Sequence, residues 1–306
     1  MEKPEVLSTS VNCAQGAVRA VRYNVDGNYC LTCGSDKSIK LWNPLRGIHI
    51  KTYTGTGNEV LDCASSCDNS QLVAGGLDRC LSILDVETGK MLRRWRAHAA
   101  KVNGVAFNEE SNVAFSASLD CTLQAFDTRD RREKPIHLFN EATDSVISID
   151  VHGHEILASS ADCHYRVYNL REGAMTEDFM GDPVSSAHFT PDGNCILAST
   201  IGAPLRLMDK SDGKLLMSYK GHRTSDHCQL ESVALQSMDY VVSGSEDGCV
   251  YVYGVVDGAI ASRLVHEVEG RVVHSVAAHP NNPHILSTDG TSFFLWTPRG
   301  DSSLNE

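Results

Sequence analysis

GSDKSIKLWN, residues Gly34 to Asn43, opens with a tight-turn spelling, passes an aspartate and ends on residues fit for burial followed by a polar one. The same ten-residue frame returns as GLDRCLSILD from Gly76, SLDCTLQAFD from Ser118, SADCHYRVYN from Ser160, TIGAPLRLMD from Thr200, SEDGCVYVYG from Ser245 and TDGTSFFLWT from Thr288. The ninth residues of these seven copies are Trp42, Leu84, Phe126, Tyr168, Met208, Tyr253 and Trp296, at intervals of 42, 42, 42, 40, 45 and 43. A period near forty residues with strand-like content points to the blades of a β-propeller.

Each repeat reads as four short strands, a to d, separated by turn chemistry. In repeat one these are AVRAVRY, YCLTC, SIKLW and IHIKTYT. The a to b connections, such as NVDGN, SCDNS and TPDGN, are rich in residues that close turns. Strand a carries the column Val18, Val60, Val102, Val146, Val184, Leu230 and Val273. Strand c carries two columns, one from Ile39 to Phe293 and one from Leu41 to Leu295, all apolar apart from the Tyr165 hydroxyl. The ninth residue points to the opposite face, so every sheet needs cover on both sides, which radial stacking between sister sheets provides. No extended segment has helical apolar spacing, so the expected fold class is all-β, a single seven-bladed propeller. Its blades fall at about 14–55, 56–97, 98–141, 142–181, 182–221, 222–268 and 269–298. The last repeat lacks a fourth strand, and an open sheet edge is a pairing hazard. The alternating segment at residues 5–12 is expected to pair beside Phe293 to Trp296 and close the ring.

The 306 residues therefore read as one domain, since a ring of repeats forms one unit. A net charge of -12 opposes wholesale binding to nucleic-acid phosphate or an anionic membrane, so neither is an expected partner. No apolar run approaches the ~20 residues of a membrane span, and MEKPEVLSTS lacks the plan of a secretory signal. The 11 scattered cysteines fit free thiols in a reducing compartment.

These copies resemble WD repeats, whose pattern runs from a Gly-His pair through an aspartate in the b to c turn to a Trp-Asp pair ending strand c. Here the turn aspartates are Asp36, Asp78, Asp120, Asp162 and Asp247, while Gly202 and Gly290 occupy that place in repeats five and seven, with Asp289 one residue early. The resemblance implies a structural His-Ser-Trp-Asp hydrogen-bond chain. Only repeat three comes near the set, with His98, Ser116 and Asp120 but Phe126 for tryptophan; repeat one has Trp42 but Ala14 where histidine would fall, and Trp296 ends strand c of repeat seven. The expectation is a ring held more by packing than by polar networks. The stretch GAVRAVRYNVDGNYCLTCGSDKSIKLWNPLRG, Gly16 to Gly47, with NEVLD and KVNGVAFNEE after it, further resembles the mitogen-activated protein kinase organizer family of WD-repeat scaffolds. That resemblance implies a non-catalytic platform for kinase-cascade components, associated with the pre-mRNA splicing machinery, in cytoplasm and nucleus.

Candidate chemistry is sparse. Five aspartates spread around a circumference cannot converge on one substrate, so no catalytic residue, cofactor or metal is expected. Cys30 and Cys33 are three apart within a strand and should face opposite sides. His152 and His154 lie in a turn without a third metal ligand, and GTGNEV lacks the helix that a phosphate loop requires. The basic run Arg129 to Lys134 and the group Arg93, Arg94 and Arg96 read as solvated loops. An enzyme would need a tunnel lined by converging titratable groups.

Propellers of this family bind partners mainly where the d to a and b to c loops emerge. The residues placed there are Arg19, Glu59, Leu61, Lys101, Asn103, Ser145, Ile147, Ser185, Gln229, Glu231 and His274. Their mixed charge suits protein docking better than a phosphate track, and the expected state is a monomer within larger complexes. The alternative is a substrate receptor of a cullin-type ubiquitin ligase. Phe126-Asp127-Thr128-Arg129 and Tyr168-Asn169-Leu170-Arg171 resemble the Trp-Asp-x-Arg box of such receptors, though neither has the tryptophan.

Overall fold

The computed structural model describes residues 2–130, 132–225, 230–266 and 271–300. In them, 28 strands form seven four-stranded antiparallel sheets and no helix. Blade one is built in chain order from Val18–Tyr23, Cys30–Gly34, Ile39–Asn43 and Ile48–Tyr53. Five further blades repeat this order. The seventh pairs Val276–Ala278, Ile285–Thr288 and Ser292–Pro298 with Pro4–Asn12, which takes the outermost place. In that closing pair Leu7 lies opposite Trp296 and Val11 opposite Phe293.

The turn chemistry explains why the strands end where they do. In each of the seven b to c turns one residue takes a left-handed conformation: Lys37, Arg79, Cys121, Cys163, Gly202, Gly248 and Gly290. Such angles are strained for residues with a Cβ. In six turns the preceding aspartate compensates by accepting the backbone N–H two residues on, as from Ser38 to Asp36 at 3.0 Å, His164 to Asp162 at 3.1 Å and Thr291 to Asp289 at 2.9 Å. Asp289 is therefore the turn aspartate of blade seven. The turn there is shifted by one residue, so counting back from Trp296 lands on Gly290 instead.

Seven apolar clusters fill the seven seams between adjacent sheets. One joins blades two and three through Leu81, Ile83, Trp95, Val102, Val105 and Phe126, and another joins blades seven and one through Phe293, Leu295, Val18, Val21 and Trp42. A cluster at the seven-to-one seam means that the ring is closed. Thirteen of the fourteen strand c column residues are buried; Leu41 is half-buried and packs on the edge of its cluster. Cys30 and Cys33 are both buried but belong to different clusters, on opposite faces of blade one. The ten described cysteines carry free thiols.

Candidate functional site

The innermost strands surround a central channel that widens at both ends. The end bordered by the d to a and b to c loops opens into a cavity of about 360 Å³, and the end bordered by the a to b turns into one of about 650 Å³. Arg22, Asp62 and His188 border both cavities and form the waist. Arg22 of blade one reaches across the bore to Glu231 of blade six in a bidentate pair, at 2.6 and 2.9 Å, and lies 2.9 Å from Asp62 of blade two. Ser275 of blade seven donates to Glu231 at 2.6 Å, while His188 of blade five faces Asp150 of blade four at 3.5 Å. Burial alone would raise the Glu231 carboxyl, but the Arg22 guanidinium and the Ser275 hydroxyl hold it below its usual range. Asp62, more strongly desolvated, is raised despite Arg22.

The same side chains also tie blade to blade. Asp62, Ser148 and Ser275 occupy equivalent positions and accept the N–H groups of Val105, Ala187 and Val21 in the next blade, at 3.0, 3.1 and 3.1 Å. Strand pairing leaves these inward N–H groups without a partner, so a short acceptor on the neighbouring strand satisfies them. Titratable groups thus do converge in a tunnel, as an enzyme would require. Arg22 and His188 nevertheless face carboxylates that they neutralise, and the carboxylates accept structural hydrogen bonds.

Sequence reasoning missed the waist, because Arg22, Asp62, Asp150 and His188 sit singly in different repeats. The signal was available in the inward positions of strand a, where alternation predicts small or apolar residues and ionisable ones stand out. Of the residues expected at the docking face, Arg19, Glu59, Lys101, Asn103, Ser185, Glu231 and His274 line the smaller cavity together with Leu61 and Ile147. Arg19 pairs with Glu59. Asn103 donates to the Val146 carbonyl at 2.7 Å and to the buried Ser145 hydroxyl at 3.3 Å. Ser185 is buried too, donating to the Ser199 and Leu230 carbonyls, and Glu231 belongs to the waist. Ser145, Ser185 and Glu231 therefore serve the ring's interior and are not presented at its rim. Gln229 lies outside the described residues.

The polar networks are more extensive than the repeat pattern suggested. In blade three His98 meets Ser116 at 2.8 Å and Asp120 at 3.0 Å. Blade seven carries the tryptophan end of the set that blade three lacks: Trp296 donates its indole N–H to Ser287 at 2.8 Å, and Ser287 meets His266 at 2.8 Å, while His266 Nδ1 has no hydrogen-bond partner among the described residues. A longer connection displaces His266 from the spacing set by His98, which hid it. In blade one Gln15, next to Ala14, fills the histidine's place: Thr32 donates to Gln15 at 2.5 Å and accepts the Trp42 indole N–H at 2.8 Å. Asp78 accepts from Gly57 and Arg94, and Asp247 from Tyr251 and Arg263, so both brace the rim. Elsewhere, Arg129 is folded onto Asp127 at 3.2 Å, and among the described residues no group of His, Cys, Asp and Glu could hold a metal ion. Arg131, within the basic run, is not described.

Two buried imidazoles give the fold a defined acid response. Burial pushes His266 down to about 4; burial and the nearby His284 push His279 down to about 4 as well. His279 Nδ1 accepts the N–H groups of Asn281 and Asn282, both at 3.0 Å, which protonation would break. Both rings are neutral in either state above about pH 6.5. As pH falls from there toward 4, the unfolded chain binds protons that the folded one refuses, so stability declines, by up to about 3 kcal/mol per histidine at pH 4. His188, held up by Asp150 against its burial, works in the opposite sense. Urea midpoints between pH 7.5 and 4.5 should therefore fall, and less steeply in His279→Gln. A midpoint that stays level over this range contradicts the assignment.

A closed seven-bladed ring whose turns are set by aspartates defines a WD-repeat propeller. The family model described as "WD domain, G-beta repeat" matches residues 6–43, 47–85, 89–127 and 213–254, and the chain belongs to that family. It is 46% identical over 295 residues to WD repeat domain-containing protein 83 of Rattus norvegicus, covering 96% of this chain and 93% of the relative. The identity to the Homo sapiens protein of that name is 47% over the same length and shares. The WD repeat domain-containing protein 83 homolog of Dictyostelium discoideum is 30% identical over 311 residues, covering 92% of this chain and 94% of the relative. The first three matched windows each begin on the outermost strand of one blade and run through three strands of the next, so the sequence repeat is offset from the sheet by one strand. WD40 propellers generally serve as non-catalytic interaction scaffolds.

Proposed function

We propose that this propeller is a non-catalytic scaffold that gathers proteins at the smaller mouth of its channel. The observation that carries this reading is a mixed-charge rim of Arg19, Glu59, Lys101, Asn103 and His274 above a waist neutralised by its own ion pairs. Such a rim offers complementary contacts to a protein surface, whereas the waist offers a substrate no unengaged acid or base. Function then consists in co-localisation: two proteins held on one rigid ring see each other at a raised effective concentration. The resemblance of residues 16–47 to the mitogen-activated protein kinase organizer scaffolds supports kinase-cascade components as cargo, with association to the pre-mRNA splicing machinery and residence in both cytoplasm and nucleus. The partners are proteins; the net charge of -12 disfavours direct contact with nucleic acid.

The test is a double charge reversal, Arg19→Glu with Lys101→Glu, compared with the unmodified chain by affinity purification at low salt and quantitative mass spectrometry. Recovery of kinase-cascade and splicing components should fall about tenfold, the equivalent of ~1.4 kcal/mol, with the unfolding midpoint unchanged. Equal recovery by both proteins removes this mouth from consideration. Recovery of neither set by the unmodified chain overturns the assignment of cargo.

A further inference from the structure

Four of the outermost strands carry one extra residue against strand c. Pairing slips between Leu41 and Trp42, Ile83 and Leu84, Leu207 and Met208, and Val252 and Tyr253. The bulge brings Tyr53, Trp95, Tyr219 and Leu264 opposite Ile39, Leu81, Leu205 and Val250, and all four are buried. Three of them lock the seam by donating to a carbonyl of the next blade: Tyr53 to Val86 at 3.1 Å, Trp95 to Arg132 at 3.2 Å and Tyr219 to Val255 at 3.1 Å.

Blade four has no bulge in this strand. Ala174–Phe179 pairs without a slip, from Asn169 opposite Ala174 to His164 opposite Phe179. One residue fewer sends each later side chain to the other face. Asp178 therefore stands opposite Tyr165, where five other blades, blade three with Phe139 among them, place a large apolar side chain, and Phe179 turns outward with 69% of its surface exposed. Tyr165 itself, fully buried, brings a ring from strand c to a position held by Ile, Leu or Val in those blades. The exposed ring is thus the product of a register and not of a disordered end.

The Phe179 ring packs on that of His164, with centroids 5.1 Å apart, and carboxylates flank it along the chain. Glu177 and Asp182 keep 49% and 45% of their side-chain surface in solvent. The nearby cations lie beneath: Arg166, 5% exposed, pairs with Asp162 at 2.9 Å and Glu177 at 3.2 Å, and Arg206 backs Asp182 at 3.6 Å. The Cys163 thiol, pushed up first by burial and then by Asp182, Asp162 and Asp144, reports the same negative surroundings. Glu177 and Asp182 keep their carboxylates in solvent while their guanidinium partners lie beneath them, so the exposed side of the rim is negative.

We propose that this outer rim of blade four is a second docking surface, for a basic segment of a partner protein that lays an arginine or lysine over the Phe179 ring between Glu177 and Asp182. A cation meets both the aromatic face and the carboxylates, whereas a purely apolar partner would strip water from the carboxylates without pairing them, and nucleic acid would be repelled. The surface lies on an outermost strand and the channel mouth on innermost strands, so both can be occupied together. It stands independently of what binds at the mouth.

The experiment is selection of a random dodecapeptide phage library on the full chain, followed by fluorescence anisotropy with the selected peptides. The expected result is peptides rich in arginine or lysine whose affinity drops at least tenfold with Phe179→Ser and at least threefold with Asp182→Asn, while Arg19→Glu/Lys101→Glu leaves it unchanged. Phe179 is exposed, so its serine variant should fold, and circular dichroism checks this. The proposal is overturned if no selected peptide depends on Phe179, if the dependent peptides lack basic residues, or if binding is lost instead with the channel-mouth variant.

Discussion

Replacing Arg22 with methionine is expected to lower the stability of the fold by about 3–5 kcal/mol, the largest single-residue effect we anticipate. Arg22 faces Asp62 and Glu231 together, and its removal leaves two carboxylates in the bore without their cation. The loss is the cost of stranding buried charge, which exceeds the net worth of the intact pair. Two controls separate these effects. Adding Glu231→Gln and Asp62→Asn to Arg22→Met should restore much of the stability, since neutral groups are cheaper to bury. Lowering the pH to about 5 should narrow the gap between Arg22→Met and the unmodified chain. Without the guanidinium the Glu231 carboxyl no longer has its main source of depression, so it takes a proton at higher pH. Urea titrations at pH 7.5 and 5 read both. An Arg22→Met midpoint equal to that of the unmodified chain would mean that water, and not this ion pair, balances the charges in the channel.

Deleting residues 1–12 should act on the far end of the chain. Pro4–Asn12 is the outermost strand of blade seven, and its loss opens the edge of Ser292–Pro298. Leu7 then leaves the cluster that contains Trp296, and Val11 the cluster that contains Phe293 and Trp42. Partial burial of two such side chains contributes roughly 1 kcal/mol each, and the pairing of a whole strand is lost with them. We expect a total loss of at least about 3 kcal/mol, hence a melting temperature several degrees lower. The bared edge also invites pairing with other chains, so light scattering should show association that rises with concentration. An unshifted melting curve in this truncation would argue against closure by the N-terminal strand.

Much of the architecture was legible because it is periodic. The aspartates of the b to c turns, the apolar columns and the missing fourth strand each recur or fail to recur at a countable spacing, and the all-β ring follows from them. What escaped was whatever broke the count. His266 was displaced by a change in connection length, and Gln15 does a histidine's work next to the place where the histidine was sought; Asp289, one residue before its expected place, could be seen but not assigned. The channel waist escaped for another reason: Arg22, Asp62, Asp150, His188 and Glu231 come from five different blades and meet only when the ring closes. Likewise, no composition rule announces that blade four has lost a bulge. Phe179 reads as one more aromatic near the end of a strand until its pairing with His164 is known.

Closure by the first strand also brings Pro4 and Pro298 to one place on the wheel. Pro4 lies directly across from Pro298, so a tag or fused domain joined before the one or after the other leaves from the same corner of the molecule. Two labels, one at Pro4 and one at Pro298, would sit side by side and report on a single region, while the opposite half of the wheel stays unencumbered.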